Sequence, residues 1–409
     1  MTVVVQEITD REQWNAFLTS QPGGHLLQSY EWGELNKYLG GRIYRLGALE
    51  AGRLIGAMMI SVAPVPLPVR LPGLQLNWLY SCRGPTVEAP DSPALPALIA
   101  EAHTIARREG SVVLRLEPNI ADDDPRLEQW QSAYRALGFR IYPYAVHPRR
   151  SWVLDIRPPL ETLFANFKMT WRQNVRVAGR KGVTVREASS DADFDAYYAL
   201  LKITSERDDF FIHSKDYHRE ILRQFATRGD AVLFLAEHEG EALAAKMLIR
   251  FGDWCWDMFG ATSNHKRNLK AAYLLQYRCI QWAKEQGCTH FDFRAIPEVL
   301  EPGEEMWGVY EYKQGFGGYS RLNMPTQDYV YRPLIYRLWS KLVEIRRERR
   351  RAERRRVELE RAARGRQSGK GQSAVANQTD SSPAPAQGSS PSGKGAQPAE
   401  PASSSGVSQ

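Results

Sequence analysis

The 409-residue sequence predicts an α+β fold of two similar units in tandem, followed by a basic helix and an unfolded tail. Three observations predict it. Hydrophobic residues make up 43% of the chain, enough for a substantial core, and the length exceeds that of one ordinary domain. A strand–turn–strand pattern followed by a helix and a further strand occurs twice, with the turns about 188 residues apart. The charge is confined: residues 341–366 hold 12 Lys/Arg against 5 Glu, which equals the whole net charge of +7 and leaves the rest neutral.

In chain order, residues 41–60 read as a hairpin with its turn at Glu50–Gly52. Leu95–Gly110 is a helix closed by glycine, and Val112–Leu116 a strand. Residues 1–150 make the first unit and residues 151–318 the second. Between them, residues 164–183 predict a helix carrying Lys168, Arg172, Arg176, Arg180 and Lys181 among apolar positions. Residues 229–249 repeat the hairpin, with the turn at Glu239–Gly240. Leu274–Gly287 repeats the helix and His290–Phe293 the strand. This element order is that of acyltransferases of the GNAT type. Residues 336–366 predict a helix supported by Glu/Arg pairs at three- and four-residue spacing. Residues 367–409 are Ser, Pro, Gly, Ala and Gln without an aromatic, a composition that predicts disorder.

Several function classes are excluded by what is missing. Cys82, Cys255, Cys279 and Cys288 form no C-x-x-C pair, which argues against a disulfide framework or zinc and fits a reducing compartment. The N-terminus lacks a signal-peptide pattern, and the longest apolar run, Leu54 to Val69, is broken by Pro64, Pro66 and Pro68. The expectation is a cytoplasmic protein. No nucleophile elbow, zinc-protease, P-loop or dinucleotide motif occurs, and no histidine pair has ligand spacing, so no metal, nicotinamide or ATP is expected. At the place of a CoA pyrophosphate loop stands Arg267-Asn268-Leu269-Lys270-Ala271-Ala272, with lysine where the first glycine belongs.

Six phrases remain. They are His25-Leu26-Leu27-Gln28-Ser29 with Trp32 and Lys37; Tyr80 to Pro85; the basic helix 168–183; Thr204 to Phe210; the helix Leu274–Gly287 leading to Phe291-Asp292-Phe293; and Tyr310 to Gly318. In this order they resemble the FemABX family, the aminoacyltransferases that build peptidoglycan side-chain bridges. The resemblance implies twin GNAT-like domains, with about residues 319–335 completing the first. It implies transfer of an amino acid from aminoacyl-tRNA to an amine of the precursor's stem peptide, with no cofactor. The acceptor is UDP-MurNAc-pentapeptide or its lipid-linked form.

By the same resemblance Lys37 and Arg207 hold the acceptor phosphates. Lys313 and Phe316 are the catalytic residues it implies, Lys313 beside the acyl-transfer centre and Phe316 packed close by. Trp32 and Arg83-Gly84-Pro85 read as structural. The chain has no room for the long helical arm of some family members. Its Arg-rich helix, with Arg350 and Arg354, is expected to contact tRNA or an anionic membrane, alongside Lys168, Arg172, Arg176 and Arg180. Two alternatives stand: a CoA-dependent N-acyltransferase, and a non-catalytic RNA-binding module.

Overall fold

Two hairpins, each closed by two residues in the left-handed region, seed two separate sheets. Ala51 and Gly52 (φ 49° and 78°) close the first, and Glu239 and Gly240 (φ 54° and 78°) the second, a turn geometry that matches strand twist. The structure is a computed structural model, and it describes residues 2–66, 76–349, 352, 353 and 356.

The first half runs β1 (Val3–Glu7), α1 (Arg11–Ser20), α2 (Tyr30–Tyr38), β2 (Arg42–Glu50), β3 (Arg53–Pro64), β4 (Asn77–Arg83), β5 (Thr86–Val87), α3 (Ala94–Arg108), β6 (Ser111–Pro118), α4 (Leu127–Ala136) and β7 (Arg140–Tyr142). The second runs β8 (Arg150–Asp155), α5 (Leu160–Asn166), α6 (Met169–Arg180), β9 (Thr184–Glu187), α7 (Asp191–Asp208), α8 (Lys215–Ala226), β10 (Ala231–His238), β11 (Glu241–Phe251), β12 (Trp254–Thr262), α9 (Ala271–Glu285), β13 (His290–Ala295), α10 (Trp307–Gln314), β14 (Tyr319–Leu322) and β15 (Thr326–Val330). One sheet has the order β1-β2-β3-β4-β6-β15-β7, with β5 beside β3. The other has the order β14-β8-β13-β12-β11-β10-β9.

The two sheets repeat one plan. Antiparallel strands lead to a single parallel pair, β4–β6 in one and β12–β13 in the other, each joined by a crossover helix, α3 or α9. Gly110 and Gly287 (φ 61° and 78°) sit just past those helices, where only glycine takes a left-handed conformation without strain. Apolar faces of both helices are buried against their own sheets, α3 through Leu95, Leu98 and Ile105 and α9 through Leu275, Cys279 and Ile280. Leu26 and Leu35 of the first half pack with Phe194, Tyr197, Ile221 and Phe225 of the second, tying the sheets into one unit, Met1–Ser340.

Two details depart from the sequence expectation. The helix expected over 164–183 is broken into α5 and α6, because Phe167 turns into the core and the Lys168 N–H donates to Gly315 O at 2.8 Å. The chain after Gly318 first adds β14 to β8 of the second sheet. It enters the first sheet only at Thr326, where β15 lies between β6 and β7. Arg115 of β6 forks onto Asp328 of β15 at 2.8 and 2.7 Å, a buried ion pair that fixes this return. In the second unit residues 341–349 are helical. Arg350, Arg354 and the tail over 367–409 lie outside the described residues. Among the described residues no helix is long and apolar enough to cross a membrane.

Candidate active site

The parallel pairs of the two sheets differ in how far they stay closed. The first holds its ladder to Arg83↔Pro118, the last residues of both strands. The second pairs only from Trp254↔His290 to Trp256↔Asp292, although β12 continues to Thr262. β13 pairs with β8 from His290 onward, and beyond Asp292 a bulge with Arg294 at φ 64° shifts that register, so that Ala295 pairs with Ser151. A wedge therefore opens between β12 and β13.

Lys313, in the last turn of α10, reaches the mouth of this wedge and donates from Nζ to Ala295 O at 2.6 Å. The nearby acids are already engaged. Asp257 forms a buried ion pair with Lys246, and Asp292 Oδ1 accepts the Arg294 N–H at 2.6 Å. Burial pushes the Lys313 ammonium down to about 7, with Asp257 opposing and Lys246 assisting.

The phrase around Lys313 explains its own glycines. Trp171 of α6 lies flat against Gly315, where a Cβ would come within 2.2 Å of its ring, and donates from Nε1 to Tyr312 O at 2.9 Å. A Cβ at Gly318 would meet Val153 O at 2.3 Å. Phe316 requires a correction: it is fully buried and packs on Phe293, Phe167 and Tyr312, with ring centroids 5.9, 5.1 and 5.2 Å away. It holds the turn from behind and has no surface to offer a reactant.

The basic side chains of α6 run outward from the same turn. Lys168 donates to Gln314 Oε1 at 2.9 Å, Arg172 donates to Ala165 O, and Arg176 lies over the Phe164 ring. Arg176 and Arg180 are exposed, and none of the four forms an ion pair among the described residues. Lys37 and Arg207 stand elsewhere, on α2 and α7, and each already holds an acid. Lys37 pairs with Glu34 at 3.0 Å, and Arg207 forks onto Asp208 while donating to Thr262 Oγ1 and Asn264 Oδ1, both at 3.0 Å. An incoming phosphate must compete with those carboxylates. In the loop before α9 the Leu269 and Lys270 amides donate to Lys266 O and Arg267 O, so they are spent inside the turn.

Sequence reasoning missed a second group of residues beside the wedge. Arg83, read as structural, is 8% exposed at φ 57°; its Nη2 donates to Pro148 O at 2.6 Å and its Nε has no partner. Arg294 donates to Met258 Sδ at 2.9 Å, and Arg321 of β14 to Asn119 Oδ1 at 2.9 Å. Burial, together with the charge of Arg83, pulls Arg294 and Arg321 below the usual arginine value, while Asp292 opposes. His25 lies in the same field, held well below its usual value by burial and by Arg83, Arg321 and Arg294. The six sequence phrases already contained His25, Arg83 and Asp292. Nothing in their spacing, however, announces a meeting of residues from three strands and a turn.

Cys82, Glu117 and His147 place potential ligand atoms within 4.8 Å of one another. Glu117 already accepts from Tyr80 Oη at 2.5 Å and from the Val146 and His147 amides at 2.5 and 3.2 Å. Burial pushes the Cys82 thiol up to about 12 and His147 down to about 3. The cluster thus serves as a hydrogen-bonded tie between β4, β6 and the segment after β7.

Residues 165–314 match the family described as an acetyltransferase (GNAT) domain. The lipid II:glycine glycyltransferase of Staphylococcus aureus (strain MRSA252) is 25% identical over 405 residues, spanning 81% of this chain and 94% of that protein. The protein of the same name from strain USA300 aligns to the same extent. A crystal structure of FemX shares the fold with a TM-score of 0.74 at 22% identity, covering 83% of this chain and all of that one. With twin sheets of one plan, a wedge in the second and the Lys313 turn at its mouth, the chain shares the fold of FemX and is similar over most of its length to the lipid II:glycine glycyltransferases.

Proposed function

We propose that this protein transfers an amino acid from aminoacyl-tRNA to an amine on the stem peptide of a lipid-linked peptidoglycan precursor. The observation that carries the reading is Lys313: a half-buried ammonium, lowered to about 7, at the mouth of the wedge. The donor ester is already activated, and the acceptor amine, with an ordinary value near 10.4, must arrive deprotonated. Its nitrogen attacks the ester carbonyl, a C–N bond forms, and the negative charge collects on the carbonyl oxygen. The Lys313 ammonium stabilises that oxyanion. As the C–O bond to the ribose breaks, Lys313 gives its proton to the leaving oxygen and regains one from the new amide nitrogen. An ammonium lowered to about 7 is a far better acid than an ordinary lysine, which suits it to this step.

The exposed cations Lys168, Arg176 and Arg180, with Arg172 beside them, lead away from Lys313 and suit the phosphates of the tRNA end. Lys37 and Arg207 remain our assignment for the acceptor diphosphate, exchanging Glu34 and Asp208 for it. The basic segment 341–366 supplies peripheral contact with anionic lipid at the inner membrane face, where a lipid-linked acceptor resides.

The match to acetyltransferase domains favours one other reading, acyl-CoA as donor. Against it, the Leu269 and Lys270 amides are occupied, so the loop offers few donors to a pyrophosphate. The test is transfer of label from a mixed pool of radiolabelled aminoacyl-tRNA to lipid-linked and UDP-linked muramyl pentapeptide, with wild type beside Lys313→Ala. Label in the lipid-linked product, lost in the variant, is expected. Absence of label in both acceptors, with acetyl-CoA raising the melting temperature, overturns the reading in favour of CoA.

A further inference from the structure

We propose that Arg83, Arg294, Arg321 and His25 form a binding site for a carboxylate of the acceptor peptide. The proposal rests on the reaction assigned above. Three guanidinium groups arrive from three strands, β4, β13 and β14, and their partners are neutral: Pro148 O, Met258 Sδ and Asn119 Oδ1. Among the described residues none of the three forms an ion pair, while most other buried or half-buried arginines, such as Arg45, Arg115 and Arg250, do. The acids that bear on them are Asp292, which acts on Arg294 and Arg321, and Asp123, which bears on Arg321 from an exposed loop.

His25 adds a fourth donor. Its Nδ1 accepts the Leu27 N–H at 3.0 Å, so in the neutral ring the proton sits on Nε2. The ring is fixed against Trp256, with centroids 5.1 Å apart. Like charges gathered in a site of low polarity cost free energy unless an anion joins them. Arg83 is more than nine-tenths buried, and among the described residues its Nε has no partner, leaving a donor that an oxygen acceptor suits. Arg83 and Arg294 also hold left-handed backbone conformations, each costing about 1 kcal/mol for a non-glycine residue. Both features fit a site shaped for a ligand better than one shaped for stability.

The position selects the anion. Asp292 feels Arg294, Arg321 and Lys313 together, so the cluster is continuous with the reaction centre. The attacking amine belongs to the peptide, and whatever lies next to that amine is therefore peptide as well. The anions a peptide carries are carboxylates. Planar guanidinium forks match a carboxylate in two-point contact, and its four lone-pair positions can accept from all the donors present. Anchoring a carboxylate here holds the amine at Lys313, which converts binding into orientation.

The experiment compares lipid-linked muramyl pentapeptide with the same compound after its carboxylates are converted to carboxamides. Steady-state transfer is measured for wild type, Arg321→Gln and Arg321→Lys. Amidation is expected to raise the wild-type KM for acceptor by about ten- to a hundredfold, as loss of charge-assisted hydrogen bonds does. It should have little further effect in Arg321→Gln, and the KM for aminoacyl-tRNA should stay put. Equal KM values for both acceptors in wild type overturn the proposal, as does an amidation penalty of the same size in wild type and Arg321→Gln. If wild type transfers nothing to either compound, the assigned reaction fails by itself. Calorimetric binding of the two compounds to wild type then decides the site, because equal affinities overturn it and weaker binding of the amidated form upholds it.

Discussion

Replacing Lys313 by methionine should abolish transfer and yet stabilise the fold, by an amount that depends on pH. The native ammonium is lowered from an ordinary 10.5 to about 7, chiefly by burial. Below pH 7 both native and unfolded chains hold the proton, and the native state bears the full penalty of a buried cation. Between pH 7 and 10.5 the unfolded chain keeps the proton and the native one gives it up, so wild-type stability rises with pH. From pH 7 to 9.5 that is about 2.5 units at about 1.4 kcal/mol each, or about 3.5 kcal/mol. The side chain is partly open to water, which trims the figure to about 2 kcal/mol. For the unit Met1–Ser340, an unfolding entropy of about 2.1 cal/mol/K per residue turns this into about 3 °C. Melting of wild type and Lys313→Met at pH 7 and pH 9.5 measures it. The variant should melt higher at pH 7, and its advantage should shrink by about that amount at pH 9.5. A gap that stays constant across the two pH values refutes the buried-cation account of Lys313.

Three further outcomes follow from the same geometry. Lys313→Ala should lower kcat for transfer by about two to three orders of magnitude, the usual loss of an oxyanion partner, with little change in the KM for aminoacyl-tRNA in steady-state assays. Gly315→Ala drives a Cβ into Trp171 and should cost about 1–3 kcal/mol in urea unfolding, recovered in part by Trp171→Leu, which vacates the contact. Charge reversal at Arg176 or Arg180 should weaken tRNA binding uniformly and reduce the slope of log affinity against log salt by about 1 per site, read by filter binding at several salt concentrations.

The repeat was legible because its signals are local. The paired left-handed residues of each hairpin and the glycine beyond each crossover helix are written in two or three adjacent positions. The break between α5 and α6 was not, since it depends on a hydrogen bond from Lys168 to Gly315, far along the chain. Lys313 stood out because a lysine before Gly-Phe-Gly-Gly has no structural purpose in itself. Phe316, in the same phrase, was misread because sequence does not say which face of a turn meets the core. The arginine cluster left no pattern at all: Arg83, Arg294 and Arg321 share no spacing, and only the joining of β14 to β8 brings the last of them to the other two.

The two halves share a plan but divide the work, and the division follows from one bulge. In the first sheet β4 and β6 stay paired to their ends. In the second, a bulge follows Asp292, and Lys313 donates to the carbonyl of Ala295 just beyond it. The open pair therefore supplies the chemistry. The closed pair supplies something a bulged strand cannot, a rigid strand end that aims Arg83 from outside the wedge at the place where β13 and β14 present their own arginines. A single half would offer either the lysine without the opposing cation or the cation without the lysine. Retaining both halves, despite the cost of two arginines and a lysine held near one aspartate, is what a two-substrate transfer requires: one substrate is oriented by charge while the other is activated beside it.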